Sequence, residues 1–140
     1  MEDGKGSPPR GVVLHLEDDD DSRTSLCKFL GGAGYLCLEA KSPEEALQLA
    51  SAWGAKLDLL IVDYDLGADE TGTETVESIS RRLGHSLPTI ILTGNAANAE
   101  VPWLRNSPVW IASKPICPNA LLAGVPPLVE FRRAMRAATM

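Results

Sequence analysis

Long apolar runs are missing from this chain. No stretch approaches the ~20 consecutive apolar residues of a membrane-spanning helix, so no membrane association is expected. Histidine is nearly missing: His15 and His85 are the only two, too few for a metal centre built on imidazoles. His15 sits in a strand-like run and His85 in a loop before a proline, and both read as structural. Cysteine is scarce, and Cys27, Cys37 and Cys117 form no CxxC pair. Three widely spaced thiols read as reduced and mostly buried. Positive charge is in the minority, with 13 Lys+Arg against 19 Asp+Glu and a net charge of −6. No basic patch stands out, which argues against direct nucleic-acid contact. The opening MEDGKGSPPRG lacks the apolar segment of a secretion signal. Residues 1–10 are therefore expected to be a loose tail on a cytoplasmic protein.

What the chain has instead is alternation. GVVLHLE (11–17), YLCLEA (35–40), KLDLLIVD (56–63), TIILT (89–93) and VWIAS (109–113) are short apolar runs rich in β-branched residues. Between them lie segments with helical spacing. SRTSLCKFLGGAG (22–34) carries Leu26, Phe29, Leu30 and Ala33 and stops at glycines. SPEEALQLASAW (42–53) opens with Ser42 as N-cap, Pro43 at the first helical position and Glu45 at the third. TETVESISRRLG (73–84) carries Val76, Ile79 and Leu83, with Glu74, Arg81 and Arg82 on a solvated face. NAANAEVPWLRN (95–106) predicts a weak helix, and 117–138 predicts a helix in two pieces, kinked or broken at Pro126 and Pro127. Trp53, Trp103 and Trp110 read first as packing residues.

Five βα units imply a parallel sheet with helices on both faces. The chain is too short for an eight-fold barrel, which takes ~250 residues. The fold class is therefore α/β, a doubly wound (βα)5 flavodoxin-like sheet in the order 2-1-3-4-5. Residues 11–140 are expected to form one domain with a proline-kinked last helix.

In such a sheet the functional crevice lies at the carboxyl ends of the strands. Strand 1 ends in EDDDD (17–21), strand 3 in Asp63, strand 4 in Thr93 and strand 5 in Ser113-Lys114-Pro115. Carboxylates, a hydroxyl and an ammonium thus meet. Carboxylate oxygens with a backbone carbonyl suit Mg²⁺, and a carboxylate at a rigid strand end can attack a phosphoryl group. Lys114 supplies a cation for the charge that develops. Asp19, Asp20 and Asp21 read as N-cap and first-turn acids of the following helix.

VLHLEDD, LLIVDYDLG, IILTG and SKP, in this order and at these strand ends, resemble the response-regulator receiver domain of two-component signalling. The resemblance implies that Asp63 accepts the phosphoryl group, assisted by Lys114 and Thr93. Asp18 and Asp63 would bind Mg²⁺ directly, Asp65 through its backbone carbonyl and Glu17 through water. A cis bond before Pro115 is also implied. So are a histidine kinase or histidine phosphotransfer protein and a downstream protein target as partners, with the chain a monomer or weak homodimer. Such a domain is not an enzyme beyond its own phosphorylation and dephosphorylation. Nothing near residue 140 reads as an output domain, which leaves a stand-alone relay or a segment of a larger protein. Ile111 and Gly94 depart from the family pattern, which favours an aromatic ring and alanine there. Two alternatives stand beside this reading. DYDLG also resembles the nucleophile motif of haloacid-dehalogenase-type phosphatases, though Gly67 and the position of the acid pair depart from it. The other is a receiver-like binding module that is never phosphorylated.

Overall fold

The computed structural model describes residues 7–67 and 70–138. Residues 1–6 of the expected tail lie outside the described residues. Its last residue is anchored: the Arg10 amide donates to Gly34 O at 2.8 Å and its guanidinium lies 5.0 Å from the centre of the Tyr35 ring.

The elements alternate as expected: β1 (Val12–Leu16), α1 (Asp20–Gly32), β2 (Leu36–Ala40), α2 (Pro43–Trp53), β3 (Leu59–Asp63), α3 (Gly72–Leu83), β4 (Thr89–Thr93), β5 (Val109–Ser113) and α4 (Pro118–Ala138). The five strands are parallel in the order β2-β1-β3-β4-β5. The central strands β1, β3 and β4 are buried along their whole length. Because side chains alternate across a strand, each strand feeds two cores. Leu14, Leu16, Leu60, Val62 and Ile91 pack on the α2–α3 side with Ala46, Ala50, Val76 and Ile79. Val13, Leu59, Ile61, Ile90 and Leu92 pack on the α1–α4 side with Leu30, Leu121, Val125 and Val129.

The helix starts follow the sequence. Asp19 caps α1 by accepting the Ser22 amide at 2.8 Å, with Asp20 and Asp21 in the first turn. Ser42 accepts the Glu45 amide, while Glu45 accepts the Lys41 amide at 2.9 Å. Thr71 and Glu74 form a reciprocal capping box at α3, so Glu74 has a capping role beyond a solvated face.

Three expectations need correction. The helix predicted over 95–106 is reduced to a 3₁₀ turn at Ala96–Asn98. Pro102 cannot donate to a helical ladder, and the segment bonds to α3 and its approach instead. Thr73 Oγ1 donates to Glu100 O at 2.6 Å, the Glu100 amide to Tyr64 Oη at 3.3 Å and the Trp103 amide to Glu77 Oε2 at 3.0 Å. The last helix is not in two pieces: α4 runs through Pro126 and Pro127 without interruption. Two ladder bonds are lost there, but Leu121, Val125 and Val129 are buried against the sheet on both sides of the prolines. The thiols are not all reduced and buried either. α1 brings Cys27 beside Cys37 of the edge strand β2, Cα to Cα 5.2 Å, and the two form a disulfide, while Cys117 is free and exposed.

The tryptophans divide. A side-chain carbon at Gly124 would run into the Trp110 ring, so Trp110 packs tightly under α4. Trp103 is 73% exposed.

At the amino ends of the strands, Asp58 is buried. It accepts the Val12 amide at 2.9 Å and Arg136 Nη2 at 2.8 Å, tying β1, β3 and α4 together. A buried carboxylate needs such partners. The sequence reading passed over it.

Candidate functional site

The carboxyl ends of β1, β3, β4 and β5 face one crevice. Asp63 is the last residue of β3 and only 3% exposed. Its backbone is hemmed in from behind: a side-chain carbon at Gly72 would collide with the Asp63 carbonyl oxygen, while the Gly72 amide donates to Tyr64 O at 2.9 Å. Glu17 follows β1 and is buried, with its amide on Ala40 O and its carbonyl accepting Arg23 Nη1 at 2.9 Å. Asp18 is exposed at the mouth. Carboxylate oxygens of Glu17, Asp18 and Asp63 lie within 4.8 Å of one another.

Lys114, directly after β5, joins the cluster. Its Nζ donates to Glu17 Oε1 and to Asp63 Oδ1, both at 3.1 Å. Its amide donates to Thr93 O at 2.8 Å, which locks the end of β5 to the end of β4. The Lys114–Pro115 bond is cis, as the sequence motif implied.

The electrostatics follow from three acids sharing one ammonium. Burial, then Glu17, pushes the Asp63 carboxyl up to about 6, with Lys114 acting in the opposite direction. Burial also works to raise Glu17, but the Asp19 amide and Lys114 hold it below its usual value. Asp18 is raised by burial and by its neighbour Glu17. Burial works to lower Lys114, but hydrogen bonds to Asp63 and Glu17 raise it. Carboxylates this close demand a cation. An all-oxygen donor set open on one side fits Mg²⁺, which keeps part of its water. Glu17, Asp18 and Asp63 are the residues that fit this ion.

Thr93 ends β4, 1% exposed, and its Oγ1 accepts the Asn95 amide at 3.2 Å. Asp65, two residues beyond Asp63, has an exposed side chain outside the carboxylate cluster. Sequence reading missed Gly72 and Arg23. Arg23 also pairs with Asp20 at 2.7 Å and Glu39 at 3.3 Å, fastening the acidic loop to β2. Its only sequence signal was a cation one turn into an acidic helix start. Gly72 carried none, because its role is a contact across the βα loop.

A doubly wound parallel sheet with this order is a flavodoxin-like α/β domain, and its acid cluster lies at the carboxyl ends of the strands, where such sheets hold their functional crevice. The chain belongs to the response regulator receiver domain family, whose model matches residues 13–125. The receiver domain of the hybrid histidine kinase CckA is 28% identical, with a TM-score of 0.71, covering 85% of this chain and 99% of that one. The Vibrio cholerae chemotaxis protein CheY4 is 23% identical, TM-score 0.67, covering 84% and 98%. A CheY-like receiver domain protein from Methanospirillum hungatei JF-1 is 20% identical, TM-score 0.73, covering 89% and 98%. At those identities the last two show the fold alone. No curated protein matches the chain. The receiver family is a signalling family of two-component response regulators, and its match decides between the two motif readings of DYDLG against the phosphatase. Among the described residues no helix is long and apolar enough to cross a membrane.

Proposed function

We propose that Asp63 accepts a phosphoryl group from the phosphohistidine of a partner histidine kinase or histidine phosphotransfer protein, and that the phosphorylated chain signals by binding a downstream protein. The observation that carries this reading is Lys114 Nζ bridging Asp63 and Glu17 at 3.1 Å on neighbouring strand ends. An Asp63 oxygen attacks phosphorus, the P–N bond to the donor imidazole breaks, and that nitrogen leaves with the bonding pair. β3 and Gly72 hold the nucleophile in place, so little ordering remains to be done at the moment of attack. Lys114 moves with the charge, from the free carboxylate to a phosphoryl oxygen. The Thr93 hydroxyl already accepts from Asn95, which leaves its own hydrogen for another phosphoryl oxygen.

Bound Mg²⁺ supplies positive charge to the phosphoryl oxygens. Asp18 and Asp63 would hold the ion directly, Asp65 through its backbone carbonyl and Glu17 through water. Glu17 also keeps Lys114 aimed at Asp63. The setting is cytoplasmic, and the chain acts as a monomer or weak homodimer.

The test is incubation with acetyl phosphate and Mg²⁺, followed by intact mass and acid-lability of the adduct. The wild-type chain gains one phosphoryl group and Asp63→Asn gains none. An unlabelled wild-type chain would make this a receiver-like binding module, and equal labelling of Asp63→Asn would move the site elsewhere.

A further inference from the structure

Charge is segregated along the strand axis. The acids of the crevice crowd the carboxyl end of the sheet, whereas Arg81, Arg105 and Arg132 line a groove of about 670 Å³ at the opposite end. The groove runs between the last turn of α3, the segment that fails to form a helix, and the last turns of α4. Its apolar surface comes from Trp103, Phe131 and Met135, which are 73%, 37% and 38% exposed. Prominent apolar side chains among cations are the composition of a binding surface rather than of a solvated one.

The cations differ in commitment. Arg132 donates to Leu57 O at 3.3 Å and to His85 Nε2 at 3.2 Å, and Arg81 donates to Ser78 on its own helix. Arg105 makes no hydrogen bond or ion pair with the described residues. Among the described residues the one acid in the lining, Glu77, accepts the Trp103 amide and so fixes the tryptophan's backbone. Guanidinium groups favour carboxylates, which they bind in a fork.

We propose that this groove binds an acidic peptide segment of a partner protein, with one apolar side chain of the peptide seated on Trp103 and its carboxylates on Arg105 and Arg81. A net charge of −6 disfavours a nucleic acid. A largely exposed Trp103 leaves the groove without a roof, whereas small-molecule sites bury most of their ligand. A peptide needs only a floor and one wall. The proposal does not require the phosphorylation of Asp63.

The experiment is fluorescence anisotropy of labelled peptides carrying several glutamates around a single phenylalanine or leucine, titrated with the full chain at low and high NaCl. Matched peptides carry glutamine in place of glutamate. The glutamate peptides bind, added salt weakens them, and Trp103→Ala and Arg105→Glu each weaken binding by roughly tenfold or more. Both variants keep the wild-type circular dichroism and acetyl phosphate labelling, which separates this result from any failure at Asp63. No binding by the wild-type chain, equal binding of the glutamine peptides, or wild-type affinity in Arg105→Glu would overturn the proposal. Sedimentation of the chain alone is the second arm: self-association abolished by Arg105→Glu would make the occupant a second copy and overturn it too.

Discussion

Gly72, the first residue of α3, lies so close to the main-chain carbonyl of Asp63 that a single added methyl group would overlap it. The end of β3 is thus braced by the start of the next helix. A Cβ at this point meets backbone, which cannot swing aside as a side chain can. Gly72→Ala should therefore destabilise the chain by about 1–3 kcal/mol and slow labelling of Asp63 by acetyl phosphate. Urea unfolding and labelling kinetics measure both. Wild-type stability in this variant would show that the contact relaxes freely.

The raised Asp63 carboxyl makes a prediction about pH. Its folded value of about 6 lies above the usual 3.8. The folded chain keeps a proton that the unfolded chain releases between about pH 4 and 6. The stability tied to that proton is present in full below pH 4 and is lost as pH rises through 6, a deficit of up to roughly 2–3 kcal/mol. Without Mg²⁺, Asp63→Asn should be more stable than wild type at pH 7.5, with the difference closing toward pH 4. Urea melts at the two pH values test this, and equal stability at pH 7.5 would sink it.

Asp18 and Asp19 are adjacent but do different work. Asp18 belongs to the carboxylate cluster, whereas Asp19 caps α1. Asp18→Ala should weaken Mg²⁺ binding by calorimetry and leave the melting curve nearly unchanged. Asp19→Ala should cost about 1 kcal/mol of stability and leave Mg²⁺ binding nearly intact. Equal losses of Mg²⁺ affinity would mean the acid pair is shifted by one residue.

The segment 94–106 should carry the signal. Ile111 sits beside Ile91 on the α2–α3 side of β5 and has no ring to turn. The segment hangs on α3 by two bonds, at Glu100 and Trp103, and on Tyr64 by a third, and begins one residue after Thr93. If Thr93 shifts toward a phosphoryl group, those bonds are the first to loosen. Amide hydrogen exchange with and without beryllofluoride should change most across 94–106. Unchanged exchange there, with Trp110 and Ile111 reorienting, would place the signal in β5.

Local rules made much of this protein legible in its sequence. Strand alternation, the caps at Asp19 and Ser42, and the acids and lysine at strand ends each depend on residues within a few positions of one another. The strand-to-helix rhythm then implied the sheet order, and the order brought Glu17, Asp18, Asp63 and Lys114 together. Contacts across the fold decided the rest. Residues 95–106 gave up a weak helix because α3 offers their backbone better partners at Thr73 and Glu77. Buried Val125 and Val129 carry α4 past two prolines that break helices in isolation. Cys27 meets Cys37 only once α1 lies against β2, and Asp58 is a buried anchor only because α4 returns Arg136 to it. In each case a contact with a distant element outweighs the preference of the local chain, and that energy is absent from any short window of sequence.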